Sequence, residues 1–320
     1  MKDTQRGGSF SLERFRGDPL HSARGWTDLT PEERRRRAML AAQHLDRDTL
    51  WSLTEAHILL YGAAGAGLSA RTARAYREGV ARLLRHAEHA AFSLIRPERD
   101  GGALYIRSLE NAGLAPSSVR VHLAAARALF RALRWAGVTA LDPFADTRPQ
   151  REKTAAWDKR QPYTDGEVNA LLKMATPRDR ALILLCAHAG LRIEEALNLQ
   201  WVDVDLPGGL LTVRQGKGGK LRRVSLTRSL IQSLQDLPRT DPLIGGTQSA
   251  ARQRLKVIAA RAESRYRGWH AFRHYAGTRL VRQTGSLEHA ARHLGHASLD
   301  TTRVYAKWSD TALPDALASW

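Results

Sequence analysis

A short run near the end of the chain, LGHASLDTTRVYAKW at 294 to 308, places His296 nine positions before Tyr305. Four more residues with chemical potential precede it: Arg192 in GLRIEEALNL, Lys217 in the glycine-rich QGKGGK, and His270 and Arg273 in HAFRH. Together these types suit the attack of a hydroxyl on a phosphodiester. A guanidinium is a rigid fork that matches two phosphate oxygens, so Arg192 and Arg273 can hold a phosphate and offset charge developing on it. His270 and Arg273, three apart, share one face of a helix and can be aimed together. A phenol with an ordinary pKa of about 10 attacks at neutral pH only beside a proton acceptor or strong positive potential, which His270 and the arginines can supply to Tyr305. The departing alkoxide needs a proton instead. Lys217 can give one, because an ammonium near a pKa of about 10.4 is a usable acid and a guanidinium is not.

Each residue also has an ordinary reading. Tyr305 can be one of several aromatics packing a C-terminal helix, as Trp308 is expected to do, and His296 can cap the helix that ends at LGH. Lys217 and Lys220 can be solvated turn residues. The choice rests on the rest of the chain.

Fifty Lys and Arg against 32 Asp and Glu leave a net charge of +18 over 320 residues, which implies a partner of dense negative charge, nucleic acid before others. Only eight of those 50 cations are lysines, so a lysine in a hairpin tip stands out in a chain that otherwise uses arginine for charge. The start, MKDTQRGGSF, has no apolar run like that of a signal peptide, and no segment approaches the roughly 18 apolar residues of a membrane span. A cytoplasmic protein without membrane association is expected. The single cysteine, Cys186, lies in ALILLCAHAG and reads as a small hydrophobe rather than a thiol nucleophile. No acidic cluster or Cys/His spacing suggests a metal site. The length exceeds the roughly 250 to 300 residues at which single cores stop growing, so two domains are expected.

The elements that must position these residues follow from periodicity. Thr30-Pro31-Glu32-Glu33 forms a capping box with proline in the first turn, opening a helix through RRRR at 34 to 37. Residues 1–45 read as a basic extension with this short helix. A helical domain is expected over 46–141. Within it Ser69 caps a helix to His89 whose Tyr76, Val80, Leu83 and Leu84 share one face, and Arg71, Arg74, Arg77 and Arg82 lie elsewhere. Helices at about 101–112 and 117–136 follow; the second sets Val121, Leu129, Leu133 and Trp135 as a core face beside Arg120, Arg127, Arg131 and Arg134, a basic flank suited to phosphates. Residues 142–163, polar and with three prolines, read as a linker. From 164 a capping box of Thr164 with Glu167 starts the second domain, a buried helix ends at Gly190, and the strand-like VDVDL, LLTVR and LRRVSL make a three-stranded antiparallel sheet. Helices then return to the end of the chain. The tail SDTALPDALASW carries Leu313, Leu317 and Trp320 at helical spacing, suited to docking on its own domain or on a neighbouring protomer.

An arginine after a helix-ending glycine, a lysine on a hairpin, H-x-x-R on a helix, a histidine after L-G and a tyrosine nine positions later occur here in that order. In this the chain closely resembles the tyrosine recombinase (phage integrase) family over roughly residues 160 to 310, and the helical region before the linker resembles the family's core-binding domain. The resemblance implies a mainly α (α+β) fold, with an N-terminal helical core-binding domain and a mostly helical catalytic domain carrying a small three-stranded antiparallel sheet. It implies a catalytic set of Arg192, Lys217, His270, Arg273, His296 and Tyr305, with Tyr305 the nucleophile, Lys217 the general acid and His296 stabilising the reaction. Glu195 matches an acidic position of the pattern and anchors Arg192, and Lys220 contacts the DNA backbone. His274 and His293 are structural or close to DNA. No metal and no nucleotide cofactor are implied, since a phosphotyrosine bond keeps the energy of the broken phosphodiester. The implied partners are double-stranded DNA and a homotetramer on two DNA sites, at the nucleoid. A type IB topoisomerase shares the chemistry, but the core-binding-like helical domain and the hairpin lysine motif favour a recombinase; a non-catalytic architectural DNA binder shares the charge and the helices but does not explain six reactive residues in order.

Overall fold

The structure, a computed structural model, describes residues 21–152, 161–214 and 221–295, except for the side chains of residues 21, 22 and 66. Lys217, Lys220, His296, Tyr305, Trp308 and the tail lie outside the described residues. The chain divides into two compact units, Met1–Lys153 and Thr154–Trp320.

The first unit is helical: α1 (His21–Thr27), α2 (Pro31–Gln43), α3 (Arg47–Tyr61), α4 (Ala70–His89), α5 (Gly101–Asn111) and α6 (Pro116–Trp135). Starts are set by side chains that accept orphan backbone N–H groups. Thr30 Oγ1 accepts from Glu33 N at 3.2 Å while Glu33 Oε2 accepts from Thr30 N at 2.9 Å, and Ser69 Oγ accepts from Thr72 N at 3.1 Å. Leu50, Leu53, Val80, Leu83, Tyr105, Leu129, Phe130 and Phe144 share one core. Ala23, Trp26, Ala38, Ala41 and Ala42 belong to that core as well. Trp26 Nε1 donates to Ser52 Oγ at 3.0 Å, and Arg37 lies over the Trp26 ring at 4.5 Å. Residues 21–45 are thus packed with the helices that follow, not appended to them.

Two expectations for α6 change. Val121 is 39% exposed. It lies about 200° of helical rotation from both Val119 and Leu123, which are buried and define the core stripe. The basic flank is also smaller than the arginine count suggests. Arg127 is spent inside the unit, donating to the carbonyls of Phe144, Ala145 and Thr147 at 2.8 to 3.3 Å, and Arg134 pairs with Asp142 at 2.7 Å. Those contacts fasten the beginning of the expected linker to the first unit; Arg120 and Arg131 stay exposed.

The second unit contains α7 (Asp165–Met174), α8 (Pro177–Ala187), the short α9 (Ile193–Leu197), strands β1 (Val204–Asp205), β2 (Leu210–Val213) and β3 (Arg222–Ser225), then α10 (Arg228–Gln235), α11 (Gln248–Arg261), α12 (Trp269–Thr284) and α13 (Leu287–Leu294). Helix α8 is the centre: Ala181 to Ala187 are all buried, because an apolar run without a polar face is surrounded on every side. The sheet is antiparallel in the order β1-β2-β3, with Leu211 opposite Val224 and Val213 opposite Arg222. Leu211, Val213 and Val224 face the core, as a period of two requires. Cys186 is fully buried, and burial, with the Glu195 carboxylate adding to it, pushes its thiol pKa up, so it is inert as a nucleophile.

Candidate active site

Helix α8 stops through a left-handed glycine. Gly190 has φ 65°, and Leu191 N reaches back to Leu185 O at 3.0 Å. A side chain at 190 would be strained by that φ, and its Cβ would come closer than 3.0 Å to Leu294 Cδ2. The turn therefore does two things. It delivers Arg192 to the start of α9, and it lets the end of α13 close against the backbone.

Arg273 occupies the seam so formed. It is only 1% exposed, donating from Nη1 to Gly190 O at 2.5 Å and from Nη2 to Leu294 O at 2.7 Å. A buried cation is costly unless its donors are satisfied, and here two carbonyls at chain reversals fix the plane of the fork. His270 lies one turn earlier on α12 and is exposed, its ring 4.5 Å from that of His274 and perpendicular to it. The shared face therefore resolves into a buried guanidinium and a surface imidazole. The start of α12 is tied down from α7 and the residues just before it: Tyr163 stacks on Phe272 with centroids 4.3 Å apart and its hydroxyl accepts from Arg267 N at 2.9 Å, while Arg267 pairs with Glu167 at 3.0 Å.

Arg192 is held by Glu195. The Glu195 carboxylate accepts from Arg192 N at 3.0 Å, half of a capping box, and from Arg192 Nη1 at 2.8 Å. It also accepts two bonds from Arg222 on β3, at 3.2 and 2.6 Å. Burial raises the pKa of Glu195, but the hydrogen bonds from Arg222 and Arg192 outweigh it and hold the carboxyl below its ordinary value. Gly295, at the end of α13 with φ 68°, sits directly on Arg222; a Cβ there would lie 2.5 Å from Arg222 Cδ. His293 passes Nε2–H to His188 O at 3.0 Å, which makes it a structural histidine; burial first, then the positive charges of Arg222 and Arg273, lower its pKa although that hydrogen bond opposes them.

The described residues thus bring together Arg192, Glu195, Arg222 and Arg273, with His270 on the same helix as Arg273. Lys217 lies in the connection between β2 and β3, and His296 directly follows Gly295; both, with Tyr305, are outside the described residues. Arg222 is the member that sequence reading passed over. The available signal was its parity: in LRRVSL it shares a face with Val224, so one arginine of the strand had to point inward. Among the described residues no group of three His, Cys, Asp or Glu side chains is placed to hold a metal ion, and no helix is long and apolar enough to cross a membrane.

Comparison with known proteins finds tyrosine recombinases and integrases. The model of the phage integrase family matches residues 163–311, and that of the phage integrase N-terminal SAM-like domain matches residues 63–137. The tyrosine recombinase XerC of Xanthomonas campestris pv. campestris (strain B100) is 30% identical over 277 residues, covering 78% of this chain and 84% of its own. That of Xylella fastidiosa (strain 9a5c) is 28% identical over 259 residues, covering 75% and 86%. Among solved structures, the XerH site-specific recombinase in a post-cleavage complex with its palindromic difH substrate superposes with a TM-score of 0.65 at 20% identity over 94% of each chain. A lambda integrase dimer bound to a COC′ core site gives 0.63 at 17% identity over 79% of this chain and 76% of its own. At such identities the structural likeness speaks for the mainly helical two-domain fold.

Proposed function

The chain belongs to the phage integrase family of tyrosine recombinases, and from that premise we infer that it is a site-specific DNA recombinase, an enzyme that cleaves and rejoins DNA strands through a covalent 3′-phosphotyrosyl intermediate. The observation that best supports this reading is the seam in which Arg273 bridges the carbonyls of Gly190 and Leu294, because it gathers the arginine turn, the H-x-x-R helix and the approach to L-G-H around one point.

In the mechanism we propose, Arg192 and Arg273 hold the non-bridging oxygens of the scissile phosphate and offset the charge of the transition state. Tyr305 attacks phosphorus; the phosphodiester bond to the 5′ oxygen breaks as the bond to the phenol oxygen forms. His270 takes the phenol proton, Lys217 protonates the departing 5′ oxygen, and His296 donates a hydrogen bond to a non-bridging oxygen. The freed 5′-hydroxyl of a partner strand then reverses the step and releases Tyr305. The number of phosphodiester bonds is unchanged, so no nucleotide need be spent. We further propose that four copies assemble on two DNA sites at the nucleoid, exchanging one pair of strands at a time, with exposed arginines of α4 and α6 on the phosphates.

The test begins with genomic fragments labelled at their ends: protein-linked ends are trapped and sequenced to obtain the site. A nicked duplex of that site loses a short fragment after cleavage and strands the protein on the DNA, scored as a shift that survives boiling in detergent. Tyr305→Phe is expected to abolish the adduct while binding stays within a few fold. His296→Ala is expected to retain slow attachment, about 10² to 10³ down, as for loss of one hydrogen-bond donor. An adduct formed by the phenylalanine variant would remove Tyr305 from the nucleophile's role.

A further inference from the structure

Glu195 is a carboxylate with no acceptor capacity to spare. Oε1 takes Arg192 Nη1 at 2.8 Å and Arg222 Nη1 at 3.2 Å; Oε2 takes Arg192 N at 3.0 Å and Arg222 Nη2 at 2.6 Å. Those four bonds use about all the lone-pair sites that a carboxylate offers. Its side chain is 4% exposed and that of Arg222 10%, whereas that of Arg192 is 33% exposed. The two arginines are therefore not equivalent. Arg222 is the inner partner with its fork closed on Glu195, and Arg192 is the outer one, tied by a single guanidinium nitrogen.

We propose that Arg222 is a positioning residue for the reaction: by filling half of Glu195 it keeps Arg192 from closing its own fork on the carboxylate and leaves that fork for the scissile phosphate. The proposal rests on the reading of Arg192 as a phosphate holder. Charge counting points the same way. Arg192 with Glu195 alone is a neutral pair, which attracts an anion weakly; Arg222 makes the group +1. The strand presents Arg222 there by register, opposite Val213 on the core face of β3, and Gly295 leaves room for its stem, since a Cβ at 295 would lie 2.5 Å from Arg222 Cδ. Without Arg222, two acceptor sites of Glu195 become available within reach of Arg192. A bidentate pair then competes with the phosphate, and it wins more often because Glu195 is buried and already aligned.

The experiment compares two versions of the trapped duplex, one with the ordinary scissile phosphodiester and one with a methylphosphonate, in which a methyl replaces a charged non-bridging oxygen. The neutral linkage has less need of the arginine fork, so a defect in that fork is relieved on it, whereas general damage to the protein is not. Arg222→Met is expected to slow covalent attachment by about 10²-fold on the diester, the scale of a misplaced catalytic group, and by no more than about threefold on the methylphosphonate. Arg192→Ala serves as the reference and is expected to show the same pattern, more strongly. Arg222→Lys, which keeps the charge but not the fork, is expected to fall between wild type and Arg222→Met on the diester. It carries the test if the methionine variant melts below the assay temperature. Equal losses on both substrates for the folded Arg222 variants, with Arg192→Ala relieved, overturn the proposal and leave the reading of Arg192 intact. If Arg192→Ala is not relieved either, that reading falls and the proposal with it.

Discussion

Replacing Gly190 by alanine probes the joint between the arginine turn and the end of α13. Two costs combine. The residue has φ 65°, and an L side chain in the left-handed region costs roughly 1–2 kcal/mol. The new Cβ would also press on Leu294 Cδ2 at less than 3.0 Å, and overpacking of that kind costs roughly 1–3 kcal/mol. The expected destabilisation is therefore about 2–5 kcal/mol. Gly285 provides the control, since it has φ 66° but nothing within 4 Å of its would-be Cβ, so Gly285→Ala should lose only the roughly 1–2 kcal/mol of backbone strain. Because the chain has two units, the readout must be local: amide hydrogen exchange along Pro177–Ala187, whose protection reports opening of the second unit. The Gly190 carbonyl also holds Arg273, so at a temperature where both variants are folded Gly190→Ala should slow cleavage by about 10-fold or more and Gly285→Ala should not. Equal exchange in the two variants, within about 0.5 kcal/mol, would refute the claim that Leu294 is pressed onto the Gly190 turn.

Other expectations follow from charge and proton placement. Binding to DNA should weaken by two or more decades between about 50 and 200 mM salt if at least about six phosphates are neutralised, measured by titration at each salt; a flat profile would count against a phosphate-dominated interface. Lys217→Ala should slow cleavage more on an ordinary diester than on one with a 5′-bridging sulfur, because a thiolate leaves without a proton; equal slowing removes Lys217 from the general acid role. Burial, with Arg279 adding to it, pushes the pKa of His188 down to about 4, so the folded chain keeps it neutral while the unfolded chain binds a proton below about 6.5. Its contribution is thus complete above about pH 6.5 and is lost as pH falls toward 4, at about 1.4 kcal/mol per unit. His188→Asn should flatten that acid limb in unfolding measurements at pH 7.5 and 5; an unchanged slope would show that His188 is not held neutral.

Local chemistry made much of this protein legible from its linear order. Capping boxes at Thr30 and Thr164, the cap at Ser69, the left-handed stop at Gly190 and the alternation of the three strands depend on neighbours within a few residues, and each forms where the pattern places it. The stretch Ala181–Ala187 around Cys186 likewise reads as buried because no side chain in it is polar. What a linear pattern does not carry is the partner of a long cation. Arg127 looks like its exposed neighbours Arg120 and Arg131, yet it is consumed by three carbonyls up to 20 residues away. Arg222 looks like Arg223, and only the register of β3 against β2 and the position of α9 turn it onto Glu195, 27 residues earlier. Arg273 becomes a buried bridge because Gly190 and Leu294, 83 and 21 residues away, are pressed together by packing. A guanidinium at the end of a flexible stem reaches whichever acceptors the tertiary fold brings near, and at these three arginines the fold made that choice.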